Sequence, residues 1–127
     1  MRIIITGGSG LIGRELTATL AYAEHEVIVL SRNPDTVHDL PLKARAVEWD
    51  GRTPEGWGQL VDGAGAIVNL AGASIAGGRW TPARKKLLLD SRLDAGRAVV
   101  EAVRAAGQKP RVVVQASAVG YYGPRST

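Results

Sequence analysis

Arg2-Ile3-Ile4-Ile5-Thr6-Gly7-Gly8-Ser9-Gly10-Leu11-Ile12-Gly13 decides how the rest of the sequence is read. A short apolar run breaks into Gly7, Gly10 and Gly13 at spacing G-x-x-G-x-x-G, and helix-compatible sequence follows at once. A strand that turns sharply into a helix brings free backbone amides and the positive end of the helix to one point, where they meet phosphate charge. Gly7 permits the tight turn, Gly10 lets the backbone approach a pyrophosphate, and Gly13 lets the helix pack closely on the strand. With Ser9, Leu11 and Ile12 in the same turn and helix start, these glycines form a candidate dinucleotide-binding segment.

Outward from this stretch, Ile12, Leu16, Leu20 and Ala23 recur at intervals of three and four. They predict a helix over residues 12 to 23 with one apolar stripe to lay on a sheet. Glu26-Val27-Ile28-Val29-Leu30-Ser31 then reads as a second strand, buried on both faces at its centre. About 20 residues past the glycines, an acid would hold the ribose hydroxyls of NAD. Ser31 and Arg32 occupy that place instead. An arginine cannot accept from a hydroxyl, but it binds a 2′-phosphate bidentately and stacks on adenine, so the expected cofactor is NADP.

Further along, Arg32-Asn33-Pro34-Asp35 is turn chemistry, and the sequence stays polar and irregular to Leu42, with room for one helical turn. Residues 44 to 49 fit a third strand, 54 to 61 a short helix with Pro at its first turn, and 64 to 70 a fourth strand. Asp50, after the third strand, stands where an acid could hydrogen-bond the adenine amino group; before Gly51 it could equally form a turn. Leu70, Ala71 and Gly72, small residues but for Leu70, end the fourth strand and leave room for cofactor, while Asn69 is suited to tying strands together. Thr81-Pro82 reads as an N-cap with Pro at the first helical position, and the helix should run to about Ala105 before Gly107 stops it. Its buried side should carry Leu88, Arg92, Ala95, Val99, Ala102 and Ala106. Residues 111 to 116 give a fifth strand. Alternating strands and helices of this kind build a parallel sheet, and right-handed crossovers give the order 3-2-1-4-5 of a Rossmann-type doubly wound α/β fold.

The totals agree with a single domain: 127 residues, 45% hydrophobic, with no membrane-length apolar run and no cysteine. The expectation is a cytoplasmic protein with neither disulfides nor thiolate metal sites, and His25 and His38 are too few and too isolated for a ligand cluster. The net charge of +4 is uneven, since residues 79 to 104 hold seven Arg or Lys against three acids. That segment is nearly free of aromatic residues and shows no recognition module, which argues against nucleic acid and for a solvated helix face or a nearby phosphate-bearing ligand.

Several segments together resemble a known family. Thr6-Gly7-Gly8-Ser9-Gly10-Leu11-Ile12-Gly13, Asn69-Leu70-Ala71-Gly72, Arg79-Trp80 with Ser91-Arg92-Leu93, and Ser117-Ala118-Val119-Gly120-Tyr121-Tyr122-Gly123 look like the extended short-chain dehydrogenase/reductases. The pairing of Trp80 with Ser91-Arg92 points to the NAD-dependent epimerase/dehydratase-like branch, similar to nucleoside-diphosphate-sugar epimerases. The resemblance implies an NADP(H)-dependent oxidoreductase or epimerase, with the nicotinamide over the ends of strands four and five. It also implies Ser117 as the active-site serine that hydrogen-bonds the substrate oxygen. The family's proton-donating Tyr, four residues before a Lys, would lie beyond Thr127. Tyr121 has Arg125 in the fourth place, but Pro124 opposes the helix that should present such a pair, and an Arg is a poor copy of the Lys.

The sequence thus predicts residues 1 to 127 as an NADP-binding Rossmann domain, truncated after its fifth strand, without the C-terminal substrate part and inactive alone. The substrate is an unknown small molecule, carbonyl or sugar-nucleotide-like. The alternative is a non-catalytic NADP(H)-sensing regulatory module. Later elements would cover strand five in a complete family member, so here it should present an apolar edge open to self-association.

Overall fold

The computed structural model describes residues 1–7, 11–37, 40–70 and 82–115. Five β-rich runs pair as a parallel sheet: β1 (Arg2–Thr6), β2 (Glu26–Ser31), β3 (Ala44–Glu48), β4 (Ala66–Asn69) and β5 (Val112–Gln115). The order is β3-β2-β1-β4-β5, as the sequence predicts. Register is set along the whole row, with Thr6 opposite Leu30 on one side and Asn69 on the other, Ser31 opposite Glu48, and Asn69 opposite Gln115. Ladder hydrogen bonds continue past the ends of β4, from Gly65 N–H to Arg2 O (2.8 Å) and from Leu70 N–H to Thr6 O (3.0 Å).

Because successive strand side chains point to opposite faces, the sheet has two cores. Ile3, Ile5, Val27 and Val29 turn to the face that receives α1 (Leu11–Tyr22), with Ala21 buried among them and Leu16 and Leu20 half-buried beside them. Ile4, Ile28, Leu30 and Ile67 turn to the other face. There α2 (Pro82–Ala105) contributes Ala95, Ala98, Val99 and Ala102, and the loop after β3 contributes Trp57 and Val61. Trp49 and Trp57 meet edge to face, with ring centroids 5.8 Å apart. Of the expected α2 stripe, Ala95, Val99, Ala102 and Ala106 are buried; the side chains of Leu88 and Arg92 lie outside the described residues. One helix on each face makes the sheet doubly wound. Among the described residues no helix is long and apolar enough to cross a membrane.

Two local expectations are corrected. The short helix expected over residues 54 to 61 is instead a turn followed by a single 3₁₀ turn, Gly58–Val61. Gly56 stands at φ +86°, a conformation that cannot continue a right-handed helix. The stripe of α1 is also displaced. Among the described side chains of α1, Gly13, Thr17 and Ala21 are buried, Leu16 and Leu20 flank them, and Ala23 is exposed beyond the helix end. Small side chains facing the sheet let α1 sit close to β1 and β2, with the Thr17 hydroxyl satisfied by donating to Gly13 O at 2.7 Å.

Candidate functional site

All five strands run the same way, so their carboxyl ends lie along one edge. β1 is followed in the chain by strands on one side of it, and β4 starts the other side, so the direction of winding reverses between β1 and β4. Ligands of open α/β sheets bind in the crevice outside the strand ends at such a point. Gly7 closes β1 at this crevice with φ +72°, a conformation that favours glycine, and α1 begins four residues later with its first-turn amides unbonded within the helix. Gly13, in the first turn of α1, is buried, as close packing of the helix on the strand requires. Ser9 and Gly10 lie outside the described residues, as do the side chains of Leu11 and Ile12.

At the end of β2 the Ser31 hydroxyl accepts from Asn33 N–H at 3.1 Å, fixing the turn that exposes Arg32. A Cβ built on Gly51 would stand 3.7 Å from the Arg32 Cδ, so the stem of Arg32 lies against the loop after β3. Gly51 has φ +78°, which the tight turn demands. Asp50 holds that turn: its Oδ1 accepts from Arg52 N–H (2.8 Å) and Thr53 N–H (2.7 Å), and its Oδ2 accepts from the Thr53 hydroxyl (2.7 Å). The backbone bonds from Arg52 and Thr53, then the Thr53 hydroxyl, stabilise the carboxylate and hold its pKa below the ordinary value. Asp50 is therefore a turn former, and its three bonds use three of about four lone-pair positions on the carboxylate.

On the other side of the crevice a polar chain crosses three strands. The buried Thr6 hydroxyl donates to Asn69 Oδ1 at 2.5 Å, and Asn69 Nδ2 donates to Gln115 Oε1 at 3.1 Å. Asn69 ties the strands together, as its type and place predict. Gln115 is the member that sequence reading missed, because only the β4–β5 register brings it opposite Asn69, 46 positions earlier. Leu70 is half-buried at the end of β4. Ala71, Gly72, Arg79, Trp80, Ser117, Tyr121 and Arg125 lie outside the described residues.

The opposite, amino edge carries a shallow depression lined by Met1, Arg2, Glu24, Glu26, Lys43 and Gly63. Its charges pair with one another, Arg2 with Glu26 at 3.2 Å and Lys43 with Glu24 at 3.7 Å.

A doubly wound parallel sheet with a glycine turn at its reversal point defines a nucleotide-binding α/β domain. The chain belongs to the NAD dependent epimerase/dehydratase family, whose model matches residues 3–127. Epimerase family protein YfhF of Bacillus subtilis is 39% identical over 125 residues, which are 97% of this chain and 39% of that protein. Human epimerase family protein SDR39U1 (isoform 2), solved with NADPH, shares 30% identity at a TM-score of 0.64, over 91% of this chain and 36% of the human one. Uronate dehydrogenase of Agrobacterium tumefaciens shares 25% identity at a TM-score of 0.63, over 91% of this chain and 40% of its own, and a mutant of it was solved complexed with NAD. The chain thus spans about 39% of the length of the curated relative it matches.

Proposed function

We propose that this chain supplies the cofactor-binding part of an NADP(H)-dependent oxidoreductase or epimerase acting on a carbonyl or sugar-nucleotide-like substrate. The observation that carries the reading is Arg32, exposed at the end of β2 with its stem against Gly51, in the place where an NAD site holds a carboxylate. The NADPH of the human relative is consistent with it. The backbone fits the group, since Gly7 already has the positive φ of a phosphate turn and α1 starts beside it.

In this reading the segment Gly7, Ser9, Gly10, Leu11, Ile12 and Gly13 holds the pyrophosphate. Arg32 binds the 2′-phosphate and Ser31 shapes its turn. Asp50 spends its remaining lone pair on the adenine amino group. Leu70, Ala71 and Gly72 leave room for the nicotinamide, and Ser117, two residues past Gln115, holds the substrate oxygen through its hydroxyl. Nicotinamide supplies a hydride donor or acceptor when bound. The protein is read as cytoplasmic, with a small-molecule substrate and with β5 as a surface for self-association.

Calorimetric titration with NADPH and NADH side by side tests the reading. NADPH should bind about 10- to 100-fold more tightly, the worth of one charge-assisted contact. Arg32→Ala should cut that preference about tenfold, weakening NADPH far more than NADH. Equal affinity for the two cofactors in the unaltered chain would remove Arg32 from the site.

A further inference from the structure

A 2′-phosphate on Arg32 sets a charge problem that Arg32 alone does not solve, and the inference drawn from it rests on the proposed NADP(H) reading. A phosphate monoester carries about −1.5 to −2 at pH 7, against +1 for one guanidinium. Asp50, held ionised by its three hydrogen bonds, stands beside the Gly51 position that touches the Arg32 stem. Glu48, exposed and in register with Ser31, ends β3 at the same edge of the sheet. Arg32 thus shares this edge with carboxylates before any phosphate arrives. A second cation within reach of the loop after β3 would balance the remaining charge.

Arg52 is that cation. Its N–H is bonded to Asp50, so its backbone is fixed on the same turn, while its side chain is 77% exposed. The Arg52 Nε lies 4.0 Å from Asp94 Oδ2 on α2, at the outer limit of an ion pair. Asp94 has a second partner, with Oδ1 3.9 Å from Arg97 Nη1, three residues further along the helix. Swinging Arg52 away leaves Asp94 still paired with Arg97, and exposed pairs of this kind contribute little. We infer that Arg52 is a second 2′-phosphate ligand, held on Asp94 in the free protein and transferred to the phosphate when NADPH binds. The fold supplies both resting place and destination, because the turn anchored by Asp50 lies between α2 and the end of β2.

The test uses calorimetric titrations of the whole chain with NADPH and NADH. Arg52→Ala should weaken NADPH about tenfold and leave NADH unchanged, the loss of one charge-assisted contact to the phosphate. Asp94→Asn should strengthen NADPH about threefold with NADH again unchanged, because the competing partner of Arg52 is removed. The NADPH affinity of Arg52→Ala should also fall less steeply with added salt than that of the unaltered chain. If Arg52→Ala leaves the ratio of the two affinities intact while Arg32→Ala collapses it, the Arg52 assignment is wrong and the cofactor reading stands. If the unaltered chain shows no preference for NADPH, both fall together. Equal weakening of NADPH and NADH by Arg52→Ala would mark a structural role and overturn the inference.

Discussion

At the scale of single residues, Asp50 shows one carboxylate serving both a turn and a candidate ligand. The sequence offered turn or adenine contact as rivals, and the geometry makes them compatible, since three bonds to Arg52 and Thr53 leave one lone pair unused. A carboxylate whose folded pKa is depressed adds stability above its unfolded pKa and loses it as pH falls through the folded value. The stability gap between the unaltered chain and Asp50→Asn, measured by urea unfolding, should therefore be widest near neutral pH. It should close as pH drops below about 4, the ordinary carboxylate range. A gap that stays constant with pH would show that the carboxylate's charge contributes nothing to the turn. The positions of Arg32 and Asp50 just past strand ends were legible from the apolar runs before them. The contact of Arg32 with Gly51 was not, because it joins the turns that follow two neighbouring strands.

Elements were legible where periodicity is strong, and less so where backbone conformation decides. The five strands and two long helices follow from apolar runs, Thr81-Pro82 and Gly107. The end of α1 is different: Glu24 takes φ +74°, with Glu24 N–H donating to Ala21 O at 3.0 Å and His25 N–H to Leu20 O at 3.1 Å. This is the capping pattern that glycine usually closes, here closed by a residue that gives no such signal. An L residue in that conformation costs about 1–2 kcal/mol, while glycine loses about 0.4–1 kcal/mol through the freedom it adds to the unfolded chain. The first effect exceeds the second, and the Lys43 pair that Glu24 would give up is exposed and weak. Glu24→Gly should accordingly raise the unfolding free energy by about 0.5–1 kcal/mol; a loss of stability would mean that the Glu24 side chain matters more than its backbone strain. The stripe of Gly13, Thr17 and Ala21 escaped notice for a related reason, since a search for large apolar residues passes over the small ones that bring α1 close.

Across the whole molecule, the amino, carboxyl and lateral edges of the sheet present different surfaces. Paired charges occupy the amino edge, and the glycine turn, Arg32 and Asp50 share the carboxyl edge. Within residues 1–127, β5 exposes Val112, Val113 and Val114 by about half. A strand of that kind templates pairing between copies. Sedimentation should show average mass rising with concentration, and Val113→Lys should suppress the rise; a chain that stays monomeric at every concentration would remove β5 as a self-association surface. Of the candidate site, the glycines, Arg32, Asp50 and Asn69 declare themselves locally, whereas the Asn69–Gln115 bond and the Arg52–Asp94 pair emerge only from register and from α2. At 13.4 kDa the chain suits amide-resolved NMR, and an NADPH titration tests the location of the site most directly. Shifts should concentrate at Gly7, Leu11, Ile12, Arg32, Asp50 and Leu70, leaving Glu24, Lys43 and Gly63 unmoved. Shifts gathered instead at Glu24, Lys43 and Gly63, with the glycine turn silent, would contradict a cofactor site at the carboxyl edge.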